Sequence, residues 1–316
     1  MTRNQSIRLR ASLNRRIRDF FYARDVVEVE TPFLSAAATT EPAIESFHTH
    51  FSGHCDAGSP QRWLRTSPEH ALKRLLAEGI GDCYELGRVF RNGEAGARHN
   101  PEFTLLEWYR LGWNERQIAA ETVALVQGLM VDSAPQLSVC HTTYRDLFLE
   151  KLALDPWSAS TEECWNALAP APLDRTGLDR DDCLNLLLAQ RIQPTLSTDT
   201  LTVIYDWPPS QCALARIRSA PLPVAERFEL YLGHFEIANG YHELTDAVEQ
   251  RMRFQRDNAR RQSKGHCAMP LDERFLTAMA NLPPCAGVAV GIDRILMALC
   301  RAESITHVLA FDFANA

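Results

Sequence analysis

The stretch from Tyr84 to Arg110, YELGRVFRNGEAGARHNPEFTLLEWYR, leaves few ways to fold. Tyr84–Phe90 and Phe103–Tyr109 both alternate in polarity and are rich in strand-forming residues, so each reads as a half-buried strand. The loop between them carries Arg91, Asn92, Glu94, Arg98, His99 and Asn100. Cationic and hydrogen-bonding side chains on a loop held by rigid strands suit a polyphosphate. A solvated hairpin tip fits the same composition equally well, so the rest of the chain has to decide.

At 316 residues the chain is near the upper limit for one hydrophobic core, which predicts one large domain with an insertion, or two domains. A net charge of −7 argues against broad, sequence-independent nucleic-acid binding. The nine cysteines are odd in number and contain no CxxC pair, which fits reduced thiols rather than a disulfide framework or a zinc site. The arginine-rich start has no apolar core for a signal peptide, and no segment is apolar enough to span a membrane. A cytoplasmic protein without membrane partners is the expectation.

Ser6 to Arg24 spaces Leu9, Leu13, Ile17, Phe20 and Phe21 as a helix, with arginines 8, 10, 15, 16 and 18 expected on solvated faces. A strand over Val26–Thr31 should follow and stop at Pro32, and the helix–strand pair is a plausible dimer element. His48, His50, His54 and Cys55 invite a metal, but no second ligand pair follows at suitable spacing, so surface histidines are favoured. Thr66-Ser67-Pro68-Glu69 opens a helix, with Ser67 as N-cap and Glu69 in the first turn. Glu69 there either complements the helix dipole or holds a substrate ammonium. Residues 113–200 read as a mostly helical insertion, with helices near 118–130, 144–152, 161–168 and 180–190.

In Ala225–Asp246, Glu229 and Glu236 flank Gly233 on strand-like sequence, and a hairpin at Gly233 would bring the two carboxylates face to face. Two inward carboxylates repel unless a cation intervenes, which suggests Mg²⁺ beside phosphate oxygens. Asn239-Gly240-Tyr241-His242 reads as a turn leading into a helix. The arginines of that helix (251, 253, 256, 260, 261) and Lys264 are expected mostly in solvent, with a smaller claim as an acceptor-docking face. Near the end, GVAVGIDR places glycines on a strand entering a helix that begins with Asp293 and Arg294, suited to an anion. Neither GxxxxGK[ST] nor GxGxxG is present, so the two common nucleotide folds find no support.

Together these stretches resemble the catalytic domain of class II aminoacyl-tRNA synthetases, the lysyl branch most of all. The helix and strand up to Pro32, the hairpin FRNGEAGARHNPEF and the segment GVAVGIDR match the three class motifs in order, with TSPE, EIANGYHEL and RHNPEFTLLEWY as lysine-branch details. The resemblance implies an α+β fold, an antiparallel six- to seven-stranded sheet flanked by helices, in one catalytic domain over residues 1–316 that carries the insertion. It also implies a homodimer. By the same resemblance Arg91 holds the ATP α-phosphate and Arg294 the γ-phosphate as the catalytic pair, Phe103 stacks on adenine, and Asn92, Asn100, Ile237 and Gly291 line the nucleotide. Glu229 and Glu236 take Mg²⁺, and Glu236 also contacts ATP. Ser67, Pro68, Glu69, Glu107, Tyr109, Asn239, Tyr241, Glu243 and Ala289 line the amino-acid pocket.

Three departures refine the resemblance. The sequence starts at the first motif, so the N-terminal anticodon-binding domain of the lysyl enzymes is not expected and neither is tRNA binding. Ala289 stands where those enzymes have glycine (GVAVGIDR against GLGIGIDR), and Gly93 stands where the motif has glutamate, with Glu94 one residue on. The first two features point to the branch of truncated lysyl-tRNA synthetase paralogues that attach (R)-β-lysine to a lysine of elongation factor P. A truncated synthetase that charges tRNA or another acceptor with lysine, and a non-catalytic regulatory paralogue, are the alternatives.

Overall fold

In the computed structural model, strands β5 (Cys83–Phe90) and β6 (Glu102–Leu111) pair antiparallel from Cys83↔Tyr109 to Phe90↔Glu102, so the hairpin read from alternation is present. The structure describes residues 2–54, 56, 58–131, 137–168, 175–219 and 221–316; Cys55, weighed above as a metal ligand, lies outside them. No disulfide joins the described cysteines. The chain divides into two units, Met1–Trp113 with Thr245–Ala316, and Asn114–Leu244.

In the first unit, β12 (Cys285–Gly291) pairs antiparallel with β6, and β1 (Val27–Glu28) runs parallel to β5. Side chains alternate across a strand. Phe103, Leu105, Glu107 and Tyr109 therefore share one face with Gly87, Glu85 and Cys83 on one side, and with Gly291, Ala289 and Gly287 on the other. Helix α1 (Arg3–Tyr22) covers the opposite face, where Phe21 stacks on Tyr84 at 4.4 Å and meets Trp108 edge-on at 5.2 Å. On the Glu107 face, Leu72 and Leu76 of α2 (Glu69–Ala77) pack with Cys83, Tyr109, Leu282 and Cys285. A small sheet of β2 (Leu34–Ser35), β4 (Gln61–Leu64) and β3 (His48–His50) and the helices α7 (Ala247–Ser263), α8 (Glu273–Ala278) and α9 (Ile292–Cys300) complete the unit.

Several expectations for this unit change. The strand before Pro32 pairs only over Val27–Glu28, because the chain leaves the ladder to put Thr31 Oγ1 2.7 Å from Glu85 Oε2. The arginines of α1 are not all in solvent. Arg10 turns inward onto the buried Asp293, donating also to Thr104 Oγ1 at 3.2 Å and to Val308 O at 3.1 Å, and Asp293 Oδ2 accepts from Thr104 N at 2.7 Å. Nor is α7 a purely solvated arginine face: Arg253 is buried against Glu249, and Arg261 is buried with Glu45 Oε2 at 2.6 Å.

In the second unit, α3 (Glu115–Met130) accompanies a sheet ordered β11 (Phe235–His242), β10 (Val224–Leu232), β8 (Thr200–Trp207), β7 (Ser138–Thr143), with β9 (Ile217–Arg218) also on β10. Helices α4 (Tyr144–Leu152), α5 (Thr161–Leu168) and α6 (Arg180–Leu187) pack a core around Tyr144, Phe148, Leu184 and Trp207. The helices read from periodicity are present. The β7 strand inside the supposed helical stretch is new; it is an edge strand, parallel to β8, and its polar residues give no alternation signal. Asn239-Gly240 forms no turn. Both residues lie in β11, paired with Glu229 and Phe228, and the reversal falls at Gly233 (φ +55°). The following helix starts at Ala247, where Asp246 caps it by accepting from Val248 N at 2.8 Å and Glu249 N at 3.0 Å.

Arg10→Met leaves the Asp293 carboxylate buried without its cation and should cost about 3–5 kcal/mol in urea unfolding. Arg10→Met combined with Asp293→Asn should cost less than Arg10→Met alone, because no bare charge remains.

Candidate active site

Ser67, Glu69, Glu107 and Tyr109 form one wall on the sheet face opposite α1. Pro68, not Ser67, is the N-cap position of α2, yet the Ser67 hydroxyl still caps it by accepting from Glu69 N at 3.0 Å. The same hydroxyl donates to Glu107 Oε2 at 2.7 Å, and the Tyr109 hydroxyl donates to Glu107 Oε1 at 2.8 Å. Burial, and then the Glu69 charge, raise the Glu107 carboxyl to about 7 against the pull of those two hydrogen bonds and of Lys73. Lys73, which the sequence did not flag, places its ammonium 2.6 Å from Glu69 Oε1. Across the ladder from Glu107 stand Glu85 and Ala289. Glu85 is neutralised by the buried Arg65 at 2.7 Å. A side chain at Gly87 would meet Arg65 Nη2 at 2.6 Å, whereas one at Gly291 would find only ordinary contact, 3.8 Å from Arg294.

The hairpin loop gathers the phosphate-type residues of this unit. The Arg91 guanidinium lies 5.2 Å from the Phe103 ring centre, and its buried Nε has no hydrogen-bond partner, an open donor in a half-buried cation. Asn92 N donates to Glu45 O at 2.8 Å. Gly93 has φ +82°, a left-handed conformation that favours glycine, and no atom stands within 4 Å of a Cβ there. Glu94, displaced by that glycine, returns to within 3.7 Å of Arg91. His99 Nε2 lies 2.9 Å from Arg294 Nη2, so the loop and the first turn of α9 converge. The Asn100 amide donates to Glu102 O at 2.6 Å and accepts from Phe313 N at 2.9 Å.

In the second unit, Glu229 and Glu236 share one face but are not directly opposite. Glu229 pairs with Asn239 and Tyr231 with Glu236, because Ile237 is an extra residue at a bulge in β11. The bulge also brings Glu236 and Asn239, three residues apart, to the same side. Burial, and then the charge of Glu236, raise Glu229 to about 7, opposed by Arg227 and by a bond from the Tyr231 hydroxyl. Arg227, which the sequence reading passed over, also donates to Asn239 Oδ1 at 3.2 Å, and Asn239 Nδ2 donates to the Tyr241 hydroxyl at 3.0 Å. Tyr241 is thus tied to the carboxylate cluster, Glu243 is buried at a bridge to Ala215, and Ile237 is buried in the core. The buried Glu229 and the half-buried Glu236 repel each other, and such a carboxylate pair suits a divalent cation. Elsewhere in this unit Glu115, Glu226 and His242 bring ligand atoms within 4.8 Å of one another. Arg216 and Arg218 stand 3.7 and 3.5 Å from Glu226, so that cluster is already balanced by cations.

The chain belongs to the class II tRNA synthetases of the D, K and N group, whose family description matches residues 2–314. Among individual proteins it is 44% identical over 317 residues to the elongation factor P–(R)-β-lysine ligase of Pseudoalteromonas translucida (strain TAC 125), covering 98% of this chain and 96% of that protein. It is 43% identical over 311 residues to the protein of that name from Proteus mirabilis (strain HI4320), covering 97% and 94%. For the Vibrio cholerae protein of the same name the identity is 42% over 315 residues, covering 98% and 96%.

Two outcomes are expected. Gly93→Ala forces a left-handed alanine and should cost about 1–2 kcal/mol locally, read as a higher KM for ATP in pyrophosphate exchange. Glu107 and Glu229 bind protons more tightly folded than unfolded, so their stabilising contribution is complete below the ordinary carboxylate range and is lost as pH rises through about 7. Glu229→Gln should flatten the fall in thermal unfolding midpoint between roughly pH 5 and pH 8.

Proposed function

We propose that this chain is an ATP-dependent ligase that activates (R)-β-lysine as its adenylate and transfers it to the ε-amino group of a lysine on elongation factor P. The observation that carries this reading is the cross-strand pairing of Ala289 with Glu107, which sets a methyl group on the pocket face beside the carboxylate wall. An amino acid whose ammonium meets Glu107 has to place its backbone clear of that methyl, and moving the amino group one carbon along the chain is such a shift. Near-full-length identity to relatives named for this reaction supports the same substrate pair.

In the first step the amino-acid carboxylate attacks the α-phosphorus and pyrophosphate leaves. In the second the acceptor amine attacks the acyl carbonyl, AMP leaves and an amide forms. Arg91 and Arg294 neutralise phosphate charge and hold it in line, and Phe103 packs on the adenine. Losing either arginine should lower the rate about 10²–10³-fold. Mg²⁺ would be held by Glu229 and Glu236, where it would neutralise phosphate charge. Gly93 leaves its loop position to backbone contacts, with Glu94 steering Arg91. On this reading residues 1–316 work as one catalytic domain with 113–200 inserted, as a homodimer in the cytoplasm. No helix among the described residues is long and apolar enough to cross a membrane.

The test supplies ATP and Mg²⁺ with (R)-β-lysine or α-lysine, and elongation factor P or tRNA as acceptor. Label on elongation factor P from (R)-β-lysine is expected; label on tRNA alone would sink the proposal. Ala289→Gly should raise α-lysine use relative to β-lysine by about 10-fold or more, the scale of one methyl group in a pocket. An unchanged preference would remove Ala289 from the explanation.

A further inference from the structure

A lysine side chain at 1% exposure demands compensation, because an ammonium loses its hydration there. For Lys73 the compensation is Glu69, one turn earlier on α2, at 2.6 Å. Glu69 also borders a cavity of about 220 Å³ lined by Thr31, Ser67, His70 and Arg74, while Lys73 stands behind it, beside the Phe275 ring at 5.9 Å. Glu107 lies near enough to feel the Glu69 charge, and both its oxygens take hydrogen bonds from neutral hydroxyls. Other groups near Glu107 add little: Glu85 on β5 is paired with Arg65, Cys83 on β5 is an un-ionised thiol raised to about 12, and Ala289 on β12 carries no charge. Between Glu69 and Glu107 the local charges are thus two carboxylates and one ammonium, while Arg74, Arg274 and the His70–Asp272 pair at 3.5 Å line the cavity beside them.

We propose that Lys73 is a positioning counter-ion for the amino-acid pocket. It neutralises Glu69, fixes that carboxylate against α2, and leaves Glu107 as the carboxylate for a ligand ammonium. The inference rests on reading this wall as the amino-acid site. A free pair of buried carboxylates would share a proton, and an incoming ammonium would first have to expel it. Lys73 makes that proton easier to lose. Its charge pulls the Glu107 carboxyl down, so deleting it moves Glu107 further above its present value of about 7. An ammonium ligand needs the ionised form, so its binding strengthens as pH rises through that value, and does so later without Lys73.

The experiment compares the parent, Lys73→Met and Lys73→Arg by pyrophosphate exchange, following KM for (R)-β-lysine from roughly pH 6 to pH 9. Lys73→Met should shift the KM profile up by about one pH unit, giving about tenfold higher KM near neutrality and convergence with the parent at alkaline pH. Its kcat should stay within about threefold, as expected when only binding is affected. Lys73→Arg keeps the charge and should track the parent's profile. A Lys73→Met profile superimposable on the parent's, or a KM raised equally at every pH, would overturn the proposal and leave Lys73 a packing residue. Should Lys73→Met not fold, titration calorimetry of the parent in two buffers of different ionisation enthalpy decides. Proton release on (R)-β-lysine binding slightly below pH 7 is expected, and none would overturn the charge count. No exchange by the parent with either amino acid would instead overturn the amino-acid reading beneath it.

Discussion

The Asp293 carboxylate holds the first unit together. It accepts from the backbone of Thr104, next to the residue assigned to adenine, and pairs with Arg10 on a helix nearly three hundred residues earlier in the chain. Arg294, the neighbour of Asp293, projects to the other side, toward His99. One buried carboxylate thus sets the relative position of the hairpin, the last helix and the first helix. Inward Asp293 and outward Arg294 at adjacent positions let a helix start be anchored and functional together. The N-terminal turn of α9, which no side chain caps, suits an anion.

A second regularity is that the buried charges around the candidate site come as uneven groups. Arg65 answers Glu85 and Thr31, Lys73 answers Glu69, and Arg227 answers Glu229. Two of the carboxylates named here are raised in their titration to about 7, Glu107 in the first unit and Glu229 in the second. Fully matched pairs would make a stable but inert surface. A buried carboxylate raised in this way gives up stability near neutrality and gains attraction for a cation.

Much of this was legible in the sequence, for reasons that differ by residue. The hairpin and the inserted helices follow from periodicity, and the three motifs carried the family. Periodicity could not see Arg10, Arg253 or Arg261 turning inward, because an arginine on a helix reads as polar whether it meets water or a buried carboxylate. It could not place Asn239 and Gly240 in a strand, since turn-forming residues are overruled when a ladder partner is available. The bulge at Ile237 was also hidden: a one-residue slip has no compositional mark, yet it alone puts Glu236 and Asn239 on one side. Lys73 was passed over because a lysine four residues after a glutamate is the commonest surface pair on a helix.

The guanidinium of Arg65 lies over Gly87 so closely that no other residue fits there without moving it. Gly87 and Ala289 flank the same strand one step apart, and a side chain at Gly87 would have to displace that guanidinium. Position 289 already carries a methyl group, so a change of ligand shape meets less resistance there than at Gly87. A lineage exploring new amino acids with this sheet can add or remove a carbon at position 289 without disturbing the ion pair that stands over Gly87.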